Sequence, residues 1–284
     1  MQAASLTRVA GALGLSALLI SGMAACHKDN NTTDTTSSSE ETAIAGEQSM
    51  AERTFSEVDN ITDMALANNL SMKTTGEAGI SSPCATVTRD TTVMPHLLTI
   101  DFGTTNCLCN DGRYRRGKIL VSYDGLYTAA GHSRSISFNQ YFVNDNQVTG
   151  TKTITNGGHN NNGQTYFTIV VNGSVILANN AGTISWSSNR TRTWVAGEQT
   201  PIWSDNVFEI TGSGTYTRAN GNVFTININS PLVVAANCNW IESGVVTITR
   251  QSNGKTRTLD YGNGTCDALA QLTVNGTTYN ITLR

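Results

Sequence analysis

The sequence predicts an all-β protein: an antiparallel meander, sandwich- or barrel-like, carrying one N-terminal helix and preceded by a signal peptide and a flexible tether. Three observations predict it. From Cys84 onward apolar and polar residues alternate with period two, in runs rich in Val, Ile, Thr and aromatics. Asn-Gly pairs at 172–173, 220–221, 253–254 and 275–276 punctuate the runs, and Asn-Gly accepts the positive φ that matches the twist of paired strands. The composition also fits, with 26 glycines, only 4 prolines and 14% charged residues.

The chain opens with Arg8 and then an apolar stretch, Val9–Ile20, about as long as a signal-peptide core and short of the ~20 residues that span a bilayer. Ser21, Gly22, Ala24 and Ala25 follow, small residues suited to a peptidase, and then Cys26. This resembles a bacterial lipoprotein signal, although Met23 stands where leucine is usual. The resemblance implies cleavage after residue 25, a diacylglyceryl group on the Cys26 thiol, and a membrane as partner through that lipid anchor. Residues 26–48 (CHKDNNTTDTTSSSEETAIAGEQ) are polar and of low complexity. We expect a disordered tether there, because so few apolar side chains cannot offset the entropy of ordering.

Ser49 and Glu52 fit a capping box, and Phe55, Val58, Ile61 or Thr62, and Ala65 recur at helical spacing. A helix is therefore expected from about 50 to 70, within a segment 49–75, its apolar stripe against a sheet. The β domain should fill 76–284. Strands are expected at 86–89, 97–102, 118–123, 135–143, 166–177, 183–188, 206–218, 222–228, 244–250, 270–276 and 278–284.

If Cys26 is lipidated, five of the six cysteines remain. An oxidising envelope favours pairing. Cys84 and Cys107 flank one hairpin, and Cys238 and Cys266 flank another, so these two bridges are expected, with Cys109 the thiol left over. Cys109 is the alternative partner for Cys84.

The motifs point to no catalytic residues. Asp101-Phe102-Gly103 spells a kinase magnesium motif without the accompanying loops, and Gly131–Ser135 matches a nucleophile elbow lacking its second glycine. The histidines are scattered, so neither a metal site nor a cofactor is expected. Asp260, Asn263 and Asp267 could offer oxygens to calcium but read better as turn formers. Arg113, Arg115, Arg116 and Lys118 read as a solvated turn and strand face. Trp186, Trp194, Trp203 and Trp240 would make a sugar-stacking platform if exposed together. A net charge of −3 provides no footprint for nucleic acid.

The leader, the DFG…C…DGRYRRG segment and the closing CNWIESGVVTITR…LDYGNGTCD…NGTTYNITL resemble β-rich lipoproteins of the Bacteroidota outer membrane. The resemblance covers most of 84–284 and implies an outer-membrane location, facing either the periplasm or the cell surface. It carries over no activity. The expected role is therefore non-enzymatic: structural, adhesive or binding, toward an envelope protein or a glycan. A glycan-binding accessory lipoprotein is the alternative, and a hydrolase on a β scaffold the third.

Overall fold

The computed structural model describes residues 31–66 and 84–283, the side chains from residue 38 onward. One long helix, α1 (Asn31–Leu66), precedes strands β1 (Thr86–Asp90), β2 (His96–Asp101), β3 (Cys107–Leu108), β4 (Tyr114–Tyr123), β5 (Ser133–Val143), β6 (Asn146–His159), β7 (Thr165–Ile176) and β8 (Thr183–Ala196). Then come β9 (Val207–Thr217), β10 (Val223–Ala235), β11 (Ser243–Arg250), β12 (Thr256–Asn263), β13 (Leu269–Val274) and β14 (Thr277–Thr282). All fourteen strands belong to one sheet, every described pairing is antiparallel, and the order follows the chain except that β3 pairs only with β4. The architecture is therefore an open meander with β1 and β14 as its edges.

The sheet curls around the helix. Its inward positions alternate with an outer face of Thr, Ser and Asn, as in β8, where Ile184, Trp186, Ser188, Arg190, Arg192 and Trp194 are buried and Ser185, Ser187 and Asn189 are exposed. Every residue from Ala51 to Phe55 is buried, so α1 is covered on all sides instead of resting one stripe on a flat sheet. Curvature comes from bulges: register shifts interrupt the β4–β5, β5–β6, β6–β7, β8–β9, β9–β10, β10–β11 and β11–β12 ladders. The Asn172-Gly173 pair is not a turn. It lies inside β7, and Gly173 faces Gly150 of β6. A Cβ on Gly173 would come within 2.7 Å of the Phe55 ring and 2.6 Å of the Thr149 carbonyl; glycine here lets the helix approach the sheet.

The helix corrects the expected boundaries. It begins at Asn31, so residues 31–48 are not the disordered tether anticipated for 26–48, and Ile44, Ala45, Gln48 and Ser49 are buried. Ser49 lies mid-helix and caps nothing, while Glu52 bonds to a strand arginine. Polarity here does not mean solvation: Glu40, Glu41 and Glu47 are neutralised by Arg250, Lys255, Arg257 and Arg218 of the sheet and its connections. Residues 1–30, with the signal peptide and Cys26, and 67–83, with the expected end of the helix, lie outside the described residues.

Candidate functional site

The most distinctive feature of the interior is a ladder of ion pairs between α1 and the sheet. Glu41 bonds Lys255 and Arg257, and Glu47 makes a two-point pair with Arg218 at 2.7 Å each. Glu52 holds Arg190 at 3.1 and 2.6 Å. Glu57 meets Arg113 and Arg115, and Arg115 also grips Asp111 at 2.6 and 2.7 Å. Asp59 pairs with Lys152, whose Nζ also donates to the Phe55 carbonyl at 2.6 Å. Asp63 bridges Arg134 of β5 and Arg192 of β8.

These acids recur along the helix and reach widely separated parts of the curled sheet, from β12 through β8 and β4 to β6 and β5. Their electrostatics are mutual. Burial alone would raise the Glu41 and Asp111 carboxyls, but the hydrogen bonds and charges of Arg257 and Lys255, and of Arg115, outweigh it and hold both below their ordinary values. Burial likewise lowers Arg115, and the bond to Asp111 with the Glu57 charge more than reverses this. Such a lattice positions a helix; its carboxylates are occupied by guanidinium and ammonium groups. Arg113 and Arg115 are therefore buried partners of Glu57 and not a solvated face, while Arg116 and Lys118 do sit near the surface beside Asp145 and Asp101.

Cys84 and Cys107, and Cys238 and Cys266, form the two expected bridges, with Cα separations of 5.6 and 5.7 Å. The first flanks the β1–β2 hairpin and the second flanks β11–β12. Cys109 is buried outside both, its thiol 3.8 Å from the Cys107 carbonyl. Glu242 lies with Cys238 and Cys266 in metal-ligand proximity, but those sulfurs are bonded to each other, which removes them as thiolate ligands. The tryptophans do not form a platform: Trp186, Trp194 and Trp203 are buried, and Trp240 is half-buried with the Arg53 guanidinium 3.8 Å over its ring.

Asp124, His132 and Ser133 lie together, which the sequence reading missed, but not as a triad. His132 Nδ1 is 3.2 Å from Asp124 Oδ1, and Ser133 donates to the same carboxylate through its backbone N–H at 2.8 Å and its hydroxyl at 3.2 Å. A nucleophile needs its hydroxyl on the imidazole, and here both groups converge on the acid.

An opening of about 620 Å³ lies where β12 and β13 part. Their ladder spans only Thr258–Asp260 against Gln271–Thr273. Asp260 accepts from Gly262 N–H and Asp267 from Leu269 N–H, so the split strands cap amides with their own side chains. Asp260, Asn263 and Asp267 do line this opening, as turn formers.

Fold and site together define a class: an open antiparallel meander curled around an ion-paired N-terminal helix and stapled by two disulfides. No protein-family model, curated protein or solved structure matches this chain.

Proposed function

We propose that this protein is a bacterial envelope lipoprotein, anchored in the outer membrane through a diacylglyceryl group on Cys26, with a non-enzymatic structural or binding role. The observation that carries this reading is the leader that ends in Ser21-Gly22-Met23-Ala24-Ala25-Cys26. Two structural features support it. Paired cysteines suit an oxidising envelope compartment. The interior acids are spent on holding α1, an arrangement that builds a rigid body more readily than a reactive centre.

The helix also changes how the anchor works. Only four residues separate Cys26 from Asn31, and four residues reach roughly 14 Å when extended. The domain would then sit close against the bilayer with the start of α1 toward it. Growth on radiolabelled palmitate tests the reading: the wild type incorporates label and Cys26→Ala does not. Equal labelling of both would refute the anchor.

A further inference from the structure

The two ends of the meander differ in chemistry. Consecutive strands are antiparallel, so alternate connections fall at opposite ends. Six connections share the end where α1 finishes: 91–95, 124–132, 160–164, 197–206, 236–242 and 264–268. Registers place them together, since His96 pairs with Tyr123, Ser133 with Thr155, Tyr166 with Thr193, Val207 with Ala235, and Ser243 with Asn263. The helix reaches the same end, where Arg89 donates to the Ala65 carbonyl and Arg134 to Asp63.

None of these six connections contains lysine or arginine, and they hold five acids: Asp124, Glu198, Asp205, Glu242 and Asp267. Connections at the opposite end hold two acids, Asp111 and Asp145, against Arg113, Arg218 and Lys255. Between the acids of the first rim stand exposed apolar side chains. Met94 is 68% and Leu126 75% exposed, on neighbouring connections, with Val93 beside them and Ile202 further round the rim. Large exposed apolar tips carry a desolvation gain for whatever covers them.

We infer that this acidic, apolar-tipped rim is the docking surface for a basic polypeptide segment that carries apolar side chains of its own. Charge complementarity selects the partner: the rim repels polyanions and anionic lipid headgroups, and it attracts Lys- or Arg-rich chains. Orientation agrees. A helix of 36 residues is about 54 Å long, so the rim faces away from the start of α1. The inference rests on the binding half of the proposed function and not on the anchor.

The test is fluorescence anisotropy with full-length protein and a labelled peptide of alternating lysine and leucine, a glutamate–leucine peptide serving as counter-probe. Phosphatidylglycerol vesicles form a third arm, read by co-sedimentation. The lysine peptide should bind, with affinity falling as salt rises, and the other two probes should not. Met94→Ser with Leu126→Ser, and separately Asp124→Asn with Asp205→Asn, should each weaken binding by about tenfold with circular dichroism unchanged. The opposite-end pair Ile176→Ser with Asp145→Asn should leave it within about twofold. Binding of the glutamate peptide or the vesicles as tight as that of the lysine peptide would overturn the inference. So would rim variants that bind like wild type, or an opposite-end variant that loses as much. Palmitate labelling reads the anchor independently, so the two readings fail separately.

Discussion

Replacing Asp63 by alanine should be among the most damaging single changes in the helix. Its carboxylate serves two buried guanidiniums at once, Arg134 and Arg192, and the three side chains are only 2–4% exposed. Removing one partner of a buried pair typically costs ~3–5 kcal/mol, because the orphaned charge stays in a low-dielectric site. The two arginines do not lose equally. Arg192 keeps Asn60 Oδ1 at 3.1 Å and the Phe208 ring 3.5 Å below its guanidinium, whereas Arg134 is left with the Tyr127 ring at 5.7 Å. A close, desolvated cation–π contact contributes up to ~2 kcal/mol, so the total loss should stay near ~3–5 kcal/mol rather than twice that. Against a typical stability of ~5–15 kcal/mol this is severe. Urea unfolding followed by tryptophan fluorescence, with Trp194 packed on Phe208 at 5.3 Å as a core reporter, measures it. Adding Arg134→Met to Asp63→Ala should recover most of the loss, since a neutral side chain of similar reach suits the pocket formed with Tyr127, Ile154 and Phe167. A loss under ~1 kcal/mol, or no recovery in the double variant, would refute the view that buried charge pairing seats the helix.

Gly173→Ala should destabilise by ~1–3 kcal/mol through overpacking, and Phe55→Leu should not fully rescue it, because the Thr149 carbonyl lies as near as the ring; denaturation midpoints of the single and double variants check this. Stability should also fall with acid. Asp111 and Glu41 are held below their ordinary values in the fold, so their contribution is complete above the unfolded carboxylate pKa of ~4 and is lost as pH drops through the folded values. Urea midpoints at neutral and acid pH should show the decline, flattened in Asp111→Asn, and a midpoint indifferent to pH would contradict it.

The strands were legible because period-two alternation records which face is buried, and the hairpin-flanking positions of Cys84, Cys107, Cys238 and Cys266 made the bridges legible too. What escaped was chemistry that only the third dimension pairs. β6 carries Lys152 and Asn156 at buried positions, so its inner face does not read as apolar. Arg190 and Arg192 extend β8 well past the expected end at 188 for the same reason. Glu40, Glu41 and Glu47 made residues 31–48 read as tether, although their partners Arg250, Arg257 and Arg218 sit more than 170 residues away in sequence. The rim was hidden because its acids and apolar tips are scattered over six connections that only the meander gathers.

The ion-pair ladder bears on specificity more than on net stability. Ion pairs in an interior often contribute little beyond their desolvation cost. A helix covered by the sheet on all sides, however, could slide within it by a turn, about 5.4 Å, and still bury similar area. Such a shift would take Glu52 away from Arg190, Asp59 away from Lys152 and Asp63 away from Arg134 and Arg192 together, leaving buried charges unpaired at several rungs. Each misplaced rung costs kilocalories, so the ladder selects one register out of several that packing alone would permit. That register fixes where α1 ends, beneath the β1–β2 and β4–β5 connections that carry Met94 and Leu126, and so it sets the rim on a rigid base.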